Sequence, residues 1–224
     1  MTAQFRILDP RPEMEGWGTP CFLAWTTTPW TLPSNTALCV GPKIEYVCIR
    51  TYNMYTGAPV TVVMAKARVG AYLNPQGEEA PMDGYKAGDK VVPYRIVAEY
   101  TGRELVGMHY EQLFPWVNPG EGAFRVIPGD YVTTEDGTGI VHIAPTFGAD
   151  DALVAKAAGI PPLHLVNRKG ELRPMVDLTG KFYLTEDLDE DFVKNQVDTA
   201  LYKAWEGKFV KNAYCLLYTS DAAD

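Results

Sequence analysis

The chain has 224 residues, with 20 Lys+Arg against 28 Asp+Glu and a formal net charge of −8. That length allows one large domain or two small ones, and an apolar content of 46% with 12% aromatics fills a sizeable core and excludes disorder throughout. The acidic balance excludes a simple basic nucleic-acid binder, since phosphate affinity comes mostly from clustered Lys and Arg, but it leaves room for a domain that handles only the end of a nucleic acid.

The first residues, MTAQFRILDPRPEMEG, are polar and lack the apolar core of a signal peptide. Residues 1–17 read as a connecting segment before a domain at 18–212. No apolar run approaches the ~20 residues that span a bilayer, so no membrane association and a cytoplasmic location are expected. Short runs rich in β-branched and aromatic residues follow, cut by 20 Gly and 17 Pro. Residues 21–25, 45–52, 60–65, 90–100, 123–127 and 139–144 read as strands. Pro93 breaks the fourth of these, which suggests an edge or a bulge. Residues 74–89 read as an exposed loop. Many short strands with turn signals predict a mainly β fold with peripheral helices, an antiparallel barrel or sandwich.

Residues 150–159 have an acidic start, an Ala-rich body and a Gly stop, and predict a short helix. Leu188, Phe192, Val193, Val197, Leu201, Ala204 and Trp205 recur at three- and four-residue spacing and predict one long helix from Thr185 to about Phe209. Five acids in its opening turns, Glu186 to Asp191, account for much of the acidic excess, because the helix dipole favours them there. Residues 216–224 (LLYTSDAAD) do not continue this pattern and look like translated adapter sequence; residues 213–224 read as a tail outside the domain.

The cysteines, Cys21, Cys39, Cys48 and Cys215, form no CxxC pair and have no histidine at zinc spacing. They read as reduced, buried thiols, and no metal or other cofactor is expected. A serine hydrolase would show G-x-S-x-G, and a phosphate loop G-x-x-x-x-G-K-[ST]; neither occurs.

Two segments carry chemistry. In WTTTPWTLPSN (25–35) a strand runs into three hydroxyls and two prolines. Pro29 biases Thr28 away from helical backbone and Pro33 cannot continue a ladder. The result is a stiff loop presenting hydroxyls and the Asn35 amide, groups that hold water or contact a ribose. The same threonines can equally satisfy local backbone. In GTGIVHIAPTFGADD (137–151) the glycines permit close backbone approach. His142 lies in an apolar strand, and Asp150 and Asp151 stand at a helix start. A strand histidine can be packed or functional, and an acid at a helix start can cap it or bind a ligand.

Together these segments resemble the editing domain of isoleucyl-tRNA synthetase, the connective insertion of a class I aminoacyl-tRNA synthetase, over about residues 18–212. The threonine run without a following Arg is similar to the isoleucyl branch rather than the leucyl or valyl ones. The resemblance implies a distorted antiparallel β-barrel with peripheral helices. It implies hydrolysis of valine mischarged on tRNA-Ile, and of valyl-adenylate, with the tRNA 3′ end and the rest of the synthetase as partners and a monomeric chain. A pocket one methylene too large discriminates weakly, the limit for which this enzyme family is the standard example, so a second pocket must hydrolyse the smaller ester. Carried over by position, Thr26, Thr27 and Thr28 line the pocket. Thr27, Thr28, Asn35 and Asp151 are the catalytic set: Thr28 helps position the attacking water with Asn35 at the same site, His142 limits pocket size, and Asp151 holds the α-ammonium. Trp25 and Trp30 either pack or face the terminal adenosine. Signatures of HIGH and KMSKS type are absent, so amino-acid activation is not expected, and the chain reads as part of a larger enzyme. The alternative is a non-catalytic barrel that binds the aminoacylated 3′ end or an adenylate-like ligand.

Overall fold

The computed structural model of the chain describes residues 1–214; Cys215 and the tail at 216–224 lie outside the described residues. The chain divides into two compact units. The first comprises Met1–Thr27, Leu38–Glu111 and Arg125–His142, and the second Thr28–Ala37, Gln112–Phe124 and Ile143–Asp224.

The first unit is built on one mixed sheet. Its strands are β1 (Thr2–Arg6), β2 (Thr19–Trp25), β3 (Ala37–Val40), β4 (Glu45–Tyr52), β5 (Pro59–Ala65), β6 (Arg95–Thr101), β7 (Arg125–Pro128) and β8 (Ile140–Ile143). The order is β6-β4-β5-β2-β8-β3-β7, with β1 also on β2. The β4–β5 and β4–β6 pairs are antiparallel, so β4 lies between its hairpin partner β5 and β6, which crosses to its other edge. The expected wholly antiparallel pairing does not hold, because β2 runs parallel to both β5 and β8. The chain leaves β2, builds β3 and β4, and returns through β5 in the same direction. The sheet curls into a half-barrel, and the mainly β class with few helices stands.

β4 has Tyr46, Val47, Cys48 and Ile49 all fully buried, as a strand covered on both faces should. Val47, Ile49, Val60, Val62 and Met64 cluster with Cys21, Val69 and Tyr94 in one apolar layer. Each such aliphatic side chain contributes about 1.5–3 kcal/mol through burial. Tyr46 is buried but not orphaned: its hydroxyl donates to Gly139 O at 2.6 Å and accepts from Gly41 N at 2.9 Å. Burial also pushes the Cys48 thiol up to about 12, so it is an inert core group. The strand expected over 90–100 begins only at Arg95. Pro93 has no N–H to give a ladder; its carbonyl instead accepts from Thr51 Oγ1 at 2.9 Å.

The second unit holds the 3-10 helix Pro29–Ser34, the helix Ala149–Ala157, a two-stranded ribbon of β9 (Leu165–Val166) and β10 (Leu172–Arg173), and short C-terminal helices. Its packing centre is aromatic. Trp116 stacks on Trp205 (5.5 Å, 17°) and meets Phe182 edge-on at 5.2 Å and Tyr202 at 6.2 Å. The single helix expected from Thr185 to Phe209 is broken. Helices Glu190–Gln196 and Thr199–Tyr202 are capped by Asp189 and Asp198, whose carboxylates accept from Phe192 N and Leu201 N. Between them Val197 is extended and bridges Val117, while Asp198 N donates to Trp116 O at 2.8 Å. Main-chain pairing with residues 116–118, and an Asp that caps better than it propagates, override the apolar periodicity.

Candidate functional site

Trp25, Thr26, Thr27 and His142 belong to the first unit, and Thr28, Asn35 and Asp151 to the second.

In the first unit Trp25 ends β2. It pairs with Thr2 on one edge and with Val141 of β8 on the other. β5 occupies that second edge earlier, along Thr19–Phe22, so the edge forks between Phe22 and Trp25. Thr138 fills the fork: its hydroxyl donates to Leu23 O and its carbonyl accepts from Ala65 N at 2.8 Å. The flanking glycines are required. Gly139 has φ +75°, and a Cβ there would lie 2.4 Å from the Ala65 Cβ; Gly137 has φ +64°, and its Cβ would meet the Trp25 ring at 2.9 Å. Arg68 Nε donates to Gly137 O at 2.8 Å and holds this turn against β2. Sequence reading gave the glycines their role but missed Thr138 and Arg68. Thr138 is flagged only by its place between two glycines, and Arg68 by nothing local.

The fork fixes the residues beyond it. Thr26 is buried and continues the pairing, with Thr26 N donating to Met1 O at 2.8 Å. Thr27 is exposed, and Trp25 is half-buried. His142 follows Val141 and is buried at 7% exposure. Loss of solvent pushes its imidazole down to about 4, so it is neutral at pH 7.

In the second unit the loop expected after Thr28 is a 3-10 helix, Pro29–Ser34, with Pro29 at its first position and Thr28 before it. Pro29 pre-sets the φ that the first turn needs. Thr31 Oγ1 donates to Thr28 O at 2.8 Å and lies 3.4 Å from Thr28 Oγ1. Trp30 is 47% exposed. Asn35 closes the helix and is buried. Its Nδ2 donates to Ala37 O at 2.8 Å and to Ile143 O at 3.4 Å, and Thr36 N donates to the same Ile143 O at 3.0 Å.

The peptide that accepts at Ile143 O donates through Ala144 N to Asp151 Oδ2 at 2.9 Å. Asp151 thus spends one oxygen on the backbone seven residues earlier, and the helix Ala149–Ala157 is capped by Gly148 with no side-chain bond. Burial lifts the Asp151 carboxyl above its ordinary range, the Ala144 N–H offsets part of this, and Asp150 adds to the lift. A partly desolvated carboxylate with one oxygen anchored suits a cationic partner, because charge-assisted bonds strengthen away from water. Main-chain groups of Ile143 and Ala144 therefore belong to the arrangement, and residue types cannot reveal them.

Among the described residues no group of three or more His, Cys, Asp or Glu is placed to hold a metal, and no helix is long and apolar enough to cross a membrane. A cavity of about 600 Å³ in the second unit, lined by Arg168, Lys194, Lys203 and Glu206 among others, contains none of the expected residues.

No family model matches the chain. It is 72% identical over 214 residues to an isoleucine–tRNA ligase of Bacteroides fragilis, a match covering 96% of this chain and 19% of the ligase. The chain thus spans about a fifth of the length of the curated relatives it matches. Among solved structures it is similar to GlLeuRS-CP1, with a TM-score of 0.54 and 13% identity over 97% of this chain and 93% of that one. It is also similar to the P. knowlesi cytosolic leucyl-tRNA synthetase editing domain, with a TM-score of 0.53 and 12% identity over 99% and 92%. These two likenesses establish the fold. The chain belongs to the isoleucine–tRNA ligase family, as a segment of such a ligase with the fold of the synthetase editing domains.

Proposed function

We propose that the chain hydrolyses the ester of valine mischarged on tRNA-Ile, and valyl-adenylate, at the 3′ end delivered by the rest of the synthetase. The observation that carries this reading is the identity to isoleucine–tRNA ligase over nearly the whole chain, joined to an editing-domain fold. The site chemistry supports it. An aminoacyl ester is already activated, so positioned water and a held ammonium suffice without a covalent nucleophile. Thr27 and Thr28 position that water, Thr26 and Trp25 support the strand end, Asp151 binds the α-ammonium, and His142 walls the side-chain pocket. A neutral His142 carries no positive charge at pH 7, which suits an apolar lining.

The test is a deacylation panel with the purified chain and Val-, Thr- and Ile-tRNA-Ile. Valine should be released faster than isoleucine, and equal rates would sink the selectivity. Asp151→Asn, and Thr27→Ala with Thr28→Ala, should remove the hydrolysis while circular dichroism stays unchanged. A chain that binds a non-hydrolysable valyl-adenosine but turns over no ester would instead be a binding module.

A further inference from the structure

Asn35 and Asp151 are 116 positions apart in sequence, yet both grip one peptide group. Ile143 O accepts from Thr36 N and Asn35 Nδ2, and Ala144 N, the other end of the same planar unit, donates to Asp151 Oδ2. Peptide planarity makes these two ends move together. Accepting at the oxygen also polarises the unit and strengthens donation by its N–H, by about 10–30% per bond. The Asn35 amide is buried, and its nitrogen is engaged by Ala37 O and Ile143 O. The flanking hydroxyls, Ser34 Oγ and Thr36 Oγ1, are buried without a hydrogen-bond partner among the described residues. Of these three consecutive side chains, Asn35 is the one bonded to the end of β8 at Ile143 O. Opposite it, Gly148 leaves room for the Asp151 carboxyl carbon, which a Cβ would approach to 3.1 Å. The carboxylate is thus seated between a small residue and one amide.

We infer that Asn35 is a positioning residue, which acts through the Ile143–Ala144 peptide to set the direction in which Asp151 presents its carboxylate. This rests on the reading that Asp151 holds the substrate ammonium. It moves Asn35 from the attacking water, where resemblance put it, to the seating of the substrate. The carboxylate receives its amide from a peptide held at its far end, and loosening that end lets Asp151 turn.

The experiment follows the Ala144 amide by ¹⁵N–¹H NMR in the 224-residue chain, in the wild type, Asn35→Ala and Asn35→Ser, alongside deacylation of Val-tRNA-Ile. Asn35→Ala should speed Ala144 hydrogen exchange and raise KM, each on the order of tenfold, with a smaller change in kcat. Asn35→Ser keeps one donor and should fall between, and it serves as the working variant if the alanine chain does not fold. An unchanged Ala144 amide in a folded variant overturns the inference. So does a loss confined to kcat, which returns Asn35 to the water. A wild-type chain that hydrolyses no ester defeats the functional reading alone, because the Ala144 amide still decides whether Asn35 seats Asp151.

Discussion

Lowering the pH should destabilise this chain through one buried ring. His142 is buried and its imidazole is held down to about 4, against an ordinary 6.5. The unfolded chain takes up a proton there below about 6.5 and the folded chain only below about 4, so the stability contributed by the neutral ring is complete above the first value. It is lost as pH falls from 6.5 towards 4. With those two values the loss reaches about 2 kcal/mol by pH 5 and levels off near 3 kcal/mol below pH 4. The assay is urea unfolding followed by tryptophan fluorescence at pH 7.5 and pH 5, for the wild type and His142→Gln. Other titrating groups contribute to both chains, so the difference between the two pH-induced changes isolates His142. It should be about 2 kcal/mol, with the variant less sensitive to acid. Equal losses, or an imidazole that titrates near 6.5 in the folded chain by NMR, would refute the assignment of a desolvated neutral ring.

Four further outcomes are expected. Gly139→Ala should cost about 2 kcal/mol or more by urea unfolding, since it combines a left-handed φ with a clash against the Ala65 Cβ. Gly70→Ala, in the short helix Val69–Tyr72 with no atom near its added Cβ, should be neutral or stabilise by up to about 1 kcal/mol. Asp189→Ala and Asp198→Ala should each cost about 1 kcal/mol by the same measurement, because each carboxylate satisfies an N-terminal amide of its helix. Deacylation should fall with acid as Asp151 is protonated, with a midpoint above the ordinary carboxylate value because burial lifts it; a midpoint at or below 3.8 would contradict the carboxylate's role or its environment.

The strands were legible where β-branched residues crowd between turn formers. β4 and β5 match the expected ranges within a residue, because both are buried and need that composition. β1 and β3 escaped, since TAQFR and ALCV are short and poor in β-branched residues. Parallel pairing of β2 was illegible for a different reason: strand direction depends on how the chain returns, which no residue of β2 encodes. The long C-terminal helix failed because Asp198 and the 116–118 backbone outcompete periodicity. At the candidate site, the proposed side chains all come from two motifs. The peptide that joins Asn35 to Asp151 was illegible there, because backbone groups look alike in any sequence.

The stacked Trp116 and Trp205 rings have an optical consequence. Two indoles stacked 5.5 Å apart, with ring planes 17° from parallel, couple their transition dipoles, which should add a split band to the far-ultraviolet circular dichroism that Trp205→Phe removes. Both rings lie in the second unit, whereas the sheet lies in the first. That band is therefore a built-in probe of one unit, and its loss on heating can be timed against the signal of the strands.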